Sequence, residues 1–175
     1  MAEEGGQIFY SLNSAISCGD LDIRVSSDGT WYHEGGPIGR KAMVKLFANV
    51  LQRETDGDYW LVTPIERARI QVDDAPFVAV GLTISGKGME QCLTFKTNID
   101  EEIMADKQHS LEFRPRPSGE LAPYLNLDRG LTALVSRSVY YDLVTLAVEE
   151  KKELEVWSSG CFFSFGERTN MQIYD

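Results

Sequence analysis

The sequence predicts an α+β fold made of two small packed units. Three observations carry that expectation. Short alternating segments rich in β-branched and aromatic residues fill most of the chain. Two longer segments switch to a helical period. The order strand, helix, tryptophan-bearing strand occurs twice, at residues 31–63 and at 123–158. The length of 175 residues suits one ordinary domain or two small ones.

The elements follow in order. Residues 21–25 alternate as a strand, Asp28-Gly29 marks a hairpin turn, and residues 30–34 return as a second strand. The run Gly35-Gly36-Pro37-Ile38-Gly39 breaks the pattern. From Arg40, residues Met43, Leu46, Phe47, Val50 and Leu51 recur at helical spacing and predict an amphipathic helix. Asp56-Gly57 stops it, and residues 59–63 form a strand ended by Pro64. The expected units are therefore 1–64 and 65–166, with 167–175 as a tail.

The second unit opens with strands. Residues 67–72, 77–85, 91–97 and 111–113 alternate or run apolar, separated by Asp73-Asp74-Ala75-Pro76 and Gly86-Lys87-Gly88. A loop with Pro115, Pro117 and Gly119 precedes a strand at 123–127. A second helix is expected from Asp128, a favourable N-cap, with a stripe of Leu131, Leu134, Val135, Val139, Leu143, Leu146 and Ala147. Lys151 and Lys152 suit the negative end of its dipole. Residues 153–157 and 161–165 read as strands.

Composition excludes several classes. Seventeen basic against 27 acidic residues leave a net charge of −10, wrong for gripping long nucleic acid or an anionic membrane with the whole surface. Glu3 and Glu4 stand where a secretory signal would be basic, and no apolar run approaches membrane-spanning length. Cys18, Cys92 and Cys161 lack CxxC spacing, so neither a disulfide framework nor a zinc site is expected. These features predict a cytoplasmic protein with reduced, partly buried thiols and no metal or cofactor.

The segment from Trp31 to Lys45 carries the most chemical information. Glycines there let backbone approach a bound group, and Arg40 and Lys41 place two cations at a helix N-terminus that is already positive. Either a bound anion answers them or Glu34 does. His33 is either a structural imidazole or a donor to a phosphate or carbonyl, with Glu34 beside it. Arg137 and Tyr141 lie at i and i+4 next to Tyr140, which suits holding a phosphate and stacking on a base, or an arginine stem packed over tyrosine. Asp73 and Asp74 read as a solvated turn. No P-loop, GxSxG elbow or HExxH motif is present.

The runs DGTWYHEGGPIGR, DYWLVTPIERARIQVDDAPFVAV, TFKTN and VWSSGCFF resemble the bacterial domain-of-unknown-function family 1285. The resemblance covers about residues 20–166. It implies a two-part α+β protein with repeated units, the second like a pleckstrin-homology domain, a bent sheet closed by a helix. It also implies a ligand site between the two parts, for a nucleotide-like molecule, and a role in signal transduction. The motif positions include Trp31, His33, Glu34, Arg40, Thr63, Pro64, Glu66, Thr97 and Asn98. Polarity and position then single out His33, Arg40, Lys41, Thr63, Thr97, Asn98, Arg137, Tyr140 and Tyr141 as ligand-binding residues converging at a cleft. The expected function is a non-enzymatic sensor or binding module for a small anionic ligand. The alternatives are a protein-interaction scaffold using the pleckstrin-homology-like unit and, last, a hydrolase using His33 with a carboxylate.

Overall fold

A computed structural model describes residues 16–150 and 153–167. The expectations for the chain start, for Lys151 and Lys152, and for residues 168–175 lie outside the described residues. The rest form a mixed α+β protein dominated by strands, with two α-helices among the described residues.

The first sheet contains β1 (Ile16–Val25), β2 (Trp31–His33), β3 (Gly36–Pro37), β4 (Leu51–Arg53), β5 (Tyr59–Val62) and β6 (Glu66–Val72). Their order is β3-β2-β1-β6-β5-β4. Neighbours are antiparallel except the central pair β1 and β6. The strand Glu66–Val72, expected in the second unit, thus belongs to the first sheet. The second sheet contains β7 (Phe77–Ser85), β8 (Cys92–Thr97), β9 (Glu102–Met104), β10 (Leu111–Pro115), β11 (Leu121–Asn126) and β12 (Thr132–Val135). Its order is β10-β11-β12-β7-β8-β9, again with one central parallel pair, β12 and β7. Each sheet is therefore two three-stranded meanders joined where its first and last strands run parallel. The repeat lies in sheet topology, whereas the expected strand–helix–strand repeat does not describe it.

Helix α1 (Lys41–Val50) crosses from β3 to β4. It buries Val44 and Ala48, while Met43 and Leu46, assigned to the apolar stripe, are exposed. A second stripe, Val44, Phe47, Ala48 and Leu51, competes at the same spacing. It wins because it lets Phe47 stack on Trp31, with ring centroids 6.2 Å apart and planes 7° off parallel. Helix α2 (Arg137–Leu146) is shorter than expected. Residues 132–135 are a fully buried strand instead, and a short apolar run does not distinguish the two by period. The N-cap is Ser136, whose hydroxyl accepts from Val139 N. Asp128 stands instead in a tight turn with Arg129 and Gly130 at φ 60° and 71°.

A third sheet of β13 (Val148–Glu150), β14 (Glu153–Ser158) and β15 (Cys161–Glu167) is docked on the second. Ser158 is fully buried; its hydroxyl donates to Ala105 O at 2.6 Å and accepts from Leu93 N at 2.9 Å. The Trp157 indole donates to Met89 O at 2.8 Å. Among the described residues a main apolar core runs from Ile23, Val25 and Trp31 to Phe95, Leu125, Leu143 and Val156, and Ala75, Ala122, Tyr124 and Leu134 form a second, smaller cluster. Of the three cysteines, Cys18 is exposed, and all three are free.

The two six-stranded sheets meet through specific contacts. Asn98 Oδ1 accepts from Val78 N at 3.1 Å, and its Nδ2 donates to Gly29 O at 3.2 Å. Gly29, at φ 82°, is pressed so close that a Cβ would lie 2.8 Å from Val78 and from Asn98. Arg129 donates to the Asn49 and Ala48 carbonyls at 2.6 and 3.1 Å, at the negative C-terminal end of the α1 dipole. Replacing Asn98 by Ala should cost about 1–3 kcal/mol by orphaning two part-buried backbone groups. Gly29→Ala should destabilise at least as much, through overpacking and its left-handed backbone. Urea unfolding of both variants checks this; unchanged midpoints would show that the contact does not hold the sheets together.

Candidate functional site

A cleft of about 910 Å³ lies between the two units. Its wall on the first unit comes from β1, the β4–β5 hairpin and β6. Its other wall comes from β10, β11 and the junction at Asp73-Asp74. Each unit contributes a hairpin that carries an arginine beside a tyrosine. Arg53 on β4 is the cross-strand partner of Tyr59 on β5, and its guanidinium lies 5.4 Å from the Tyr59 ring centre. Arg114 on β10 lies 4.1 Å over the Tyr124 ring on β11. Such stacking holds a guanidinium flat and leaves its N–H edge to bond outward.

Neither arginine has a carboxylate partner among the described residues. Arg53 Nε donates to Gly57 O at 3.1 Å, and Arg114 Nη2 to Thr132 Oγ1 at 3.2 Å. The other cleft cations are neutralised. Arg69 bonds Asp20 at 2.6 Å and Asp58 at 2.9 Å. Arg116 bonds Asp74 at 3.0 Å.

Asp74 is the buried hinge of this arrangement. Its side chain is 4% exposed and also accepts from the Tyr124 hydroxyl at 2.6 Å. The expected solvated turn is thus a buried carboxylate site on one side; Asp73, its neighbour, forms an ion pair with Arg24. Burial, then the hydrogen bond to Asp74, hold the Tyr124 phenol well above its ordinary range. Burial also raises Tyr59, opposed by Arg53 and Arg114. The Tyr59 hydroxyl has no hydrogen-bond partner among the described residues, and it lies within the field of arginines from both units.

The nine residues expected at the site lie elsewhere, and none of them lines this cleft. Thr97 is 1% exposed and its hydroxyl accepts from Glu101 N within a turn. Asn98 joins the two sheets. Thr63 closes a turn with Glu66, accepting from its N–H and donating to its carbonyl, both at 3.0 Å. Lys41 reaches Asp100 at 3.1 Å, with Lys45 at 3.3 Å and Lys96 at 3.8 Å around the same carboxylate. The Lys41 bond holds that carboxyl below its usual range.

Arg40 is the exposed N-cap of α1, and its side chain bonds neither Glu34 nor any other described residue. Glu34 and Gly35 instead form the two-residue turn between β2 and β3, at φ 50° and 76°. His33 is exposed at the end of β2. Arg137 and Tyr140 do come together, in a separate pocket of about 130 Å³ that also touches Arg116. Tyr140 packs against Phe113 and the half-exposed Tyr141. The start of α1 thus reaches the turn that carries Thr97 and Asn98 through the Lys41–Asp100 pair, while Arg137 and Tyr140 line a different pocket.

The residues that sequence reasoning missed left a signal. Arg114 and Arg116 flank Pro115 at the end of β10, and a strand period of two puts both arginines on one face. Read as a loop, the segment offered no reason to pair them. Arg53 was hidden because β4 follows α1 without a break.

Family models match nearly all of the described chain. "Domain of unknown function (DUF1285), N-terminal domain" matches residues 14–75, and "Protein of unknown function (DUF1285), C-terminal domain" matches 76–165. Two solved structures are similar. A DUF1285 family protein from Silicibacter pomeroyi is 41% identical, with TM-score 0.83, over 89% of this chain and 85% of that one. A DUF1285 family protein from Shewanella baltica is 27% identical, with TM-score 0.57, over 71% of this chain and 91% of that one. No curated protein matches the chain.

The Tyr124–Asp74 bond has a pH signature. A free tyrosine ionises near ~10. Because the folded protein raises Tyr124, the unfolded chain releases that proton first as pH climbs. The bond's contribution is therefore complete below about pH 10 and is lost as pH rises above it. Tyr124→Phe should lower stability at pH 7 by about 1–2 kcal/mol. It should also remove one late-ionising phenol from an absorbance titration of tyrosinate. A Tyr124 that ionises with the exposed tyrosines would contradict the bond.

Proposed function

The chain belongs to the DUF1285 family, and from that premise we propose that it is a non-enzymatic binding or sensor module for a small anionic ligand held in the cleft between its two units. The observation that carries this reading is the pair of arginines, Arg53 and Arg114, which line the cleft without a carboxylate to neutralise them. Cations without a carboxylate partner favour an anion, and charge-assisted hydrogen bonds to a phosphate or carboxylate are about twice as strong as neutral ones. The Tyr59 hydroxyl supplies a third donor. A nucleotide-like molecule would set its anionic group on the guanidiniums.

The site favours binding over hydrolysis. Neither histidine lines the cleft: His33 is exposed on β2, and His109 lies between Asp106 at 3.3 Å and Asp128 at 3.5 Å. A ligand bridging arginines from two units would stiffen their relative placement, which suits a sensor in signal transduction.

Thermal unfolding tests the reading, with inorganic phosphate and adenosine monophosphate as probes. At 100 times its dissociation constant a ligand adds about 2.7 kcal/mol to stability. That is a rise of about 5–10 °C for a protein of this size. Arg53→Ala and Arg114→Ala should each abolish most of the rise while remaining folded. No rise with either probe, or an equal rise in both variants, would overturn the proposal.

A further inference from the structure

We infer that the β11–β12 hairpin sets both unneutralised arginines of the cleft, and that Arg129 at its tip is a positioning residue for Arg53. This role rests on the anion-binding reading above and adds what fixes the two cations relative to each other. The strands of the hairpin hold Arg114. Its guanidinium lies 4.1 Å over the Tyr124 ring on β11, and its Nη2 donates to Thr132 Oγ1 on β12 at 3.2 Å. Tyr124 and Thr132 are both buried, so Arg114 is set against a packed surface.

The tip of the same hairpin holds the chain that carries Arg53. Helix α1 runs directly into β4, and Arg53 follows Asn49 by four positions. Arg129 donates to the Asn49 and Ala48 carbonyls at 2.6 and 3.1 Å, which fixes the chain just before β4. Gly130 closes on Arg53 itself: a Cβ there would lie 3.1 Å from the Arg53 carbonyl oxygen and 3.4 Å from its Cβ. The tip is tied to its own strands, with Leu127 N donating to Leu131 O at 2.9 Å and Leu131 N to Asp128 O at 3.2 Å. Arg129 adopts φ 60° and ψ 27°, a left-handed conformation disfavoured for a residue with a Cβ. A glycine would make the same turn without that cost. What the arginine adds is reach, since its guanidinium crosses to the negative end of α1 in the other unit. Two cations carried on different units thus share one hairpin as their reference, and an anion bonded to both needs their spacing kept.

Isothermal titration of the full chain with inorganic phosphate at low salt tests the role. Arg129→Gly keeps the turn and removes the tie; circular dichroism verifies that it is folded at the titration temperature. It should weaken phosphate binding about tenfold, an ordinary size for coupling between linked groups. The same loss is expected in an Arg114→Ala background. Where Arg53 is already Ala the further loss should vanish, because a residue that acts through Arg53 has nothing left to position. A merely structural role would weaken binding alike in every background. Arg129→Lys keeps a cation at the end of α1 and should recover part of the affinity; it carries the same comparison if Arg129→Gly does not fold. Binding that needs Arg53 and Arg114 but ignores Arg129, or an equal loss in the Arg53→Ala background, sinks the inference and leaves the anion reading standing. No phosphate binding by the unaltered chain removes both.

Discussion

The arrangement of this molecule depends on one buried carboxylate. Asp74 sits where the chain leaves the first sheet for the second, and its side chain is almost wholly enclosed. A carboxylate there is tolerable only if it is paired and hydrogen-bonded, since isolating a buried charge costs several kcal/mol. Arg116 and Tyr124 meet that requirement, and both belong to the second unit. The adjacent Asp73 faces the other way and is bound by Arg24 of the first. Two consecutive residues are thereby anchored to different sheets, which sets where the second sheet can begin.

The same anchoring shapes the cleft. Away from the junction the two units touch closely. Gly29 against Asn98 and Gly130 against Arg53 leave no room for a Cβ without displacement, and Arg129 caps the end of α1. Near the junction the walls carry charged side chains in place of packed apolar ones, and space remains between them. Gly130 lies against the backbone of Arg53, so the close-packed side of the interface positions one of the cleft's two unneutralised arginines. Packing and binding are linked there through a single residue.

Much of the fold was legible from residue pattern. The Asp28-Gly29 hairpin forms as read, with the Asp28 carboxylate accepting from Ser26 and Thr30. The apolar alternation located β5, β7, β8 and β14 within a residue or two. The errors have a common physical source. Residues 131–147 show one apolar stripe, yet hold a buried strand and a helix, because a strand enclosed on both faces is apolar at every position. The short edge strands β3, β4 and β9 are two or three residues long and leave too little pattern to find. The candidate site was less legible. Arg40 and Lys41 were conspicuous because they adjoin glycines and a helix start, but the glycines serve a turn and Lys41 bonds Asp100.

The sequence by itself determined the class of this protein: an acidic, strand-rich α+β chain with two amphipathic helices and recognisable turns. Those properties are local, set by side-chain period, charge and the backbone preferences of glycine, proline and aspartate. Only the tertiary structure decided that two six-stranded sheets share one topology, that β6 joins the first, and that Arg53 and Arg114 face one another's neighbourhood. Those two residues are 61 positions apart in the numbering, and nothing in either local segment encodes the approach. A charge is neutral or unanswered according to what lies across space from it, and only the packed sheets put partners or their absence there.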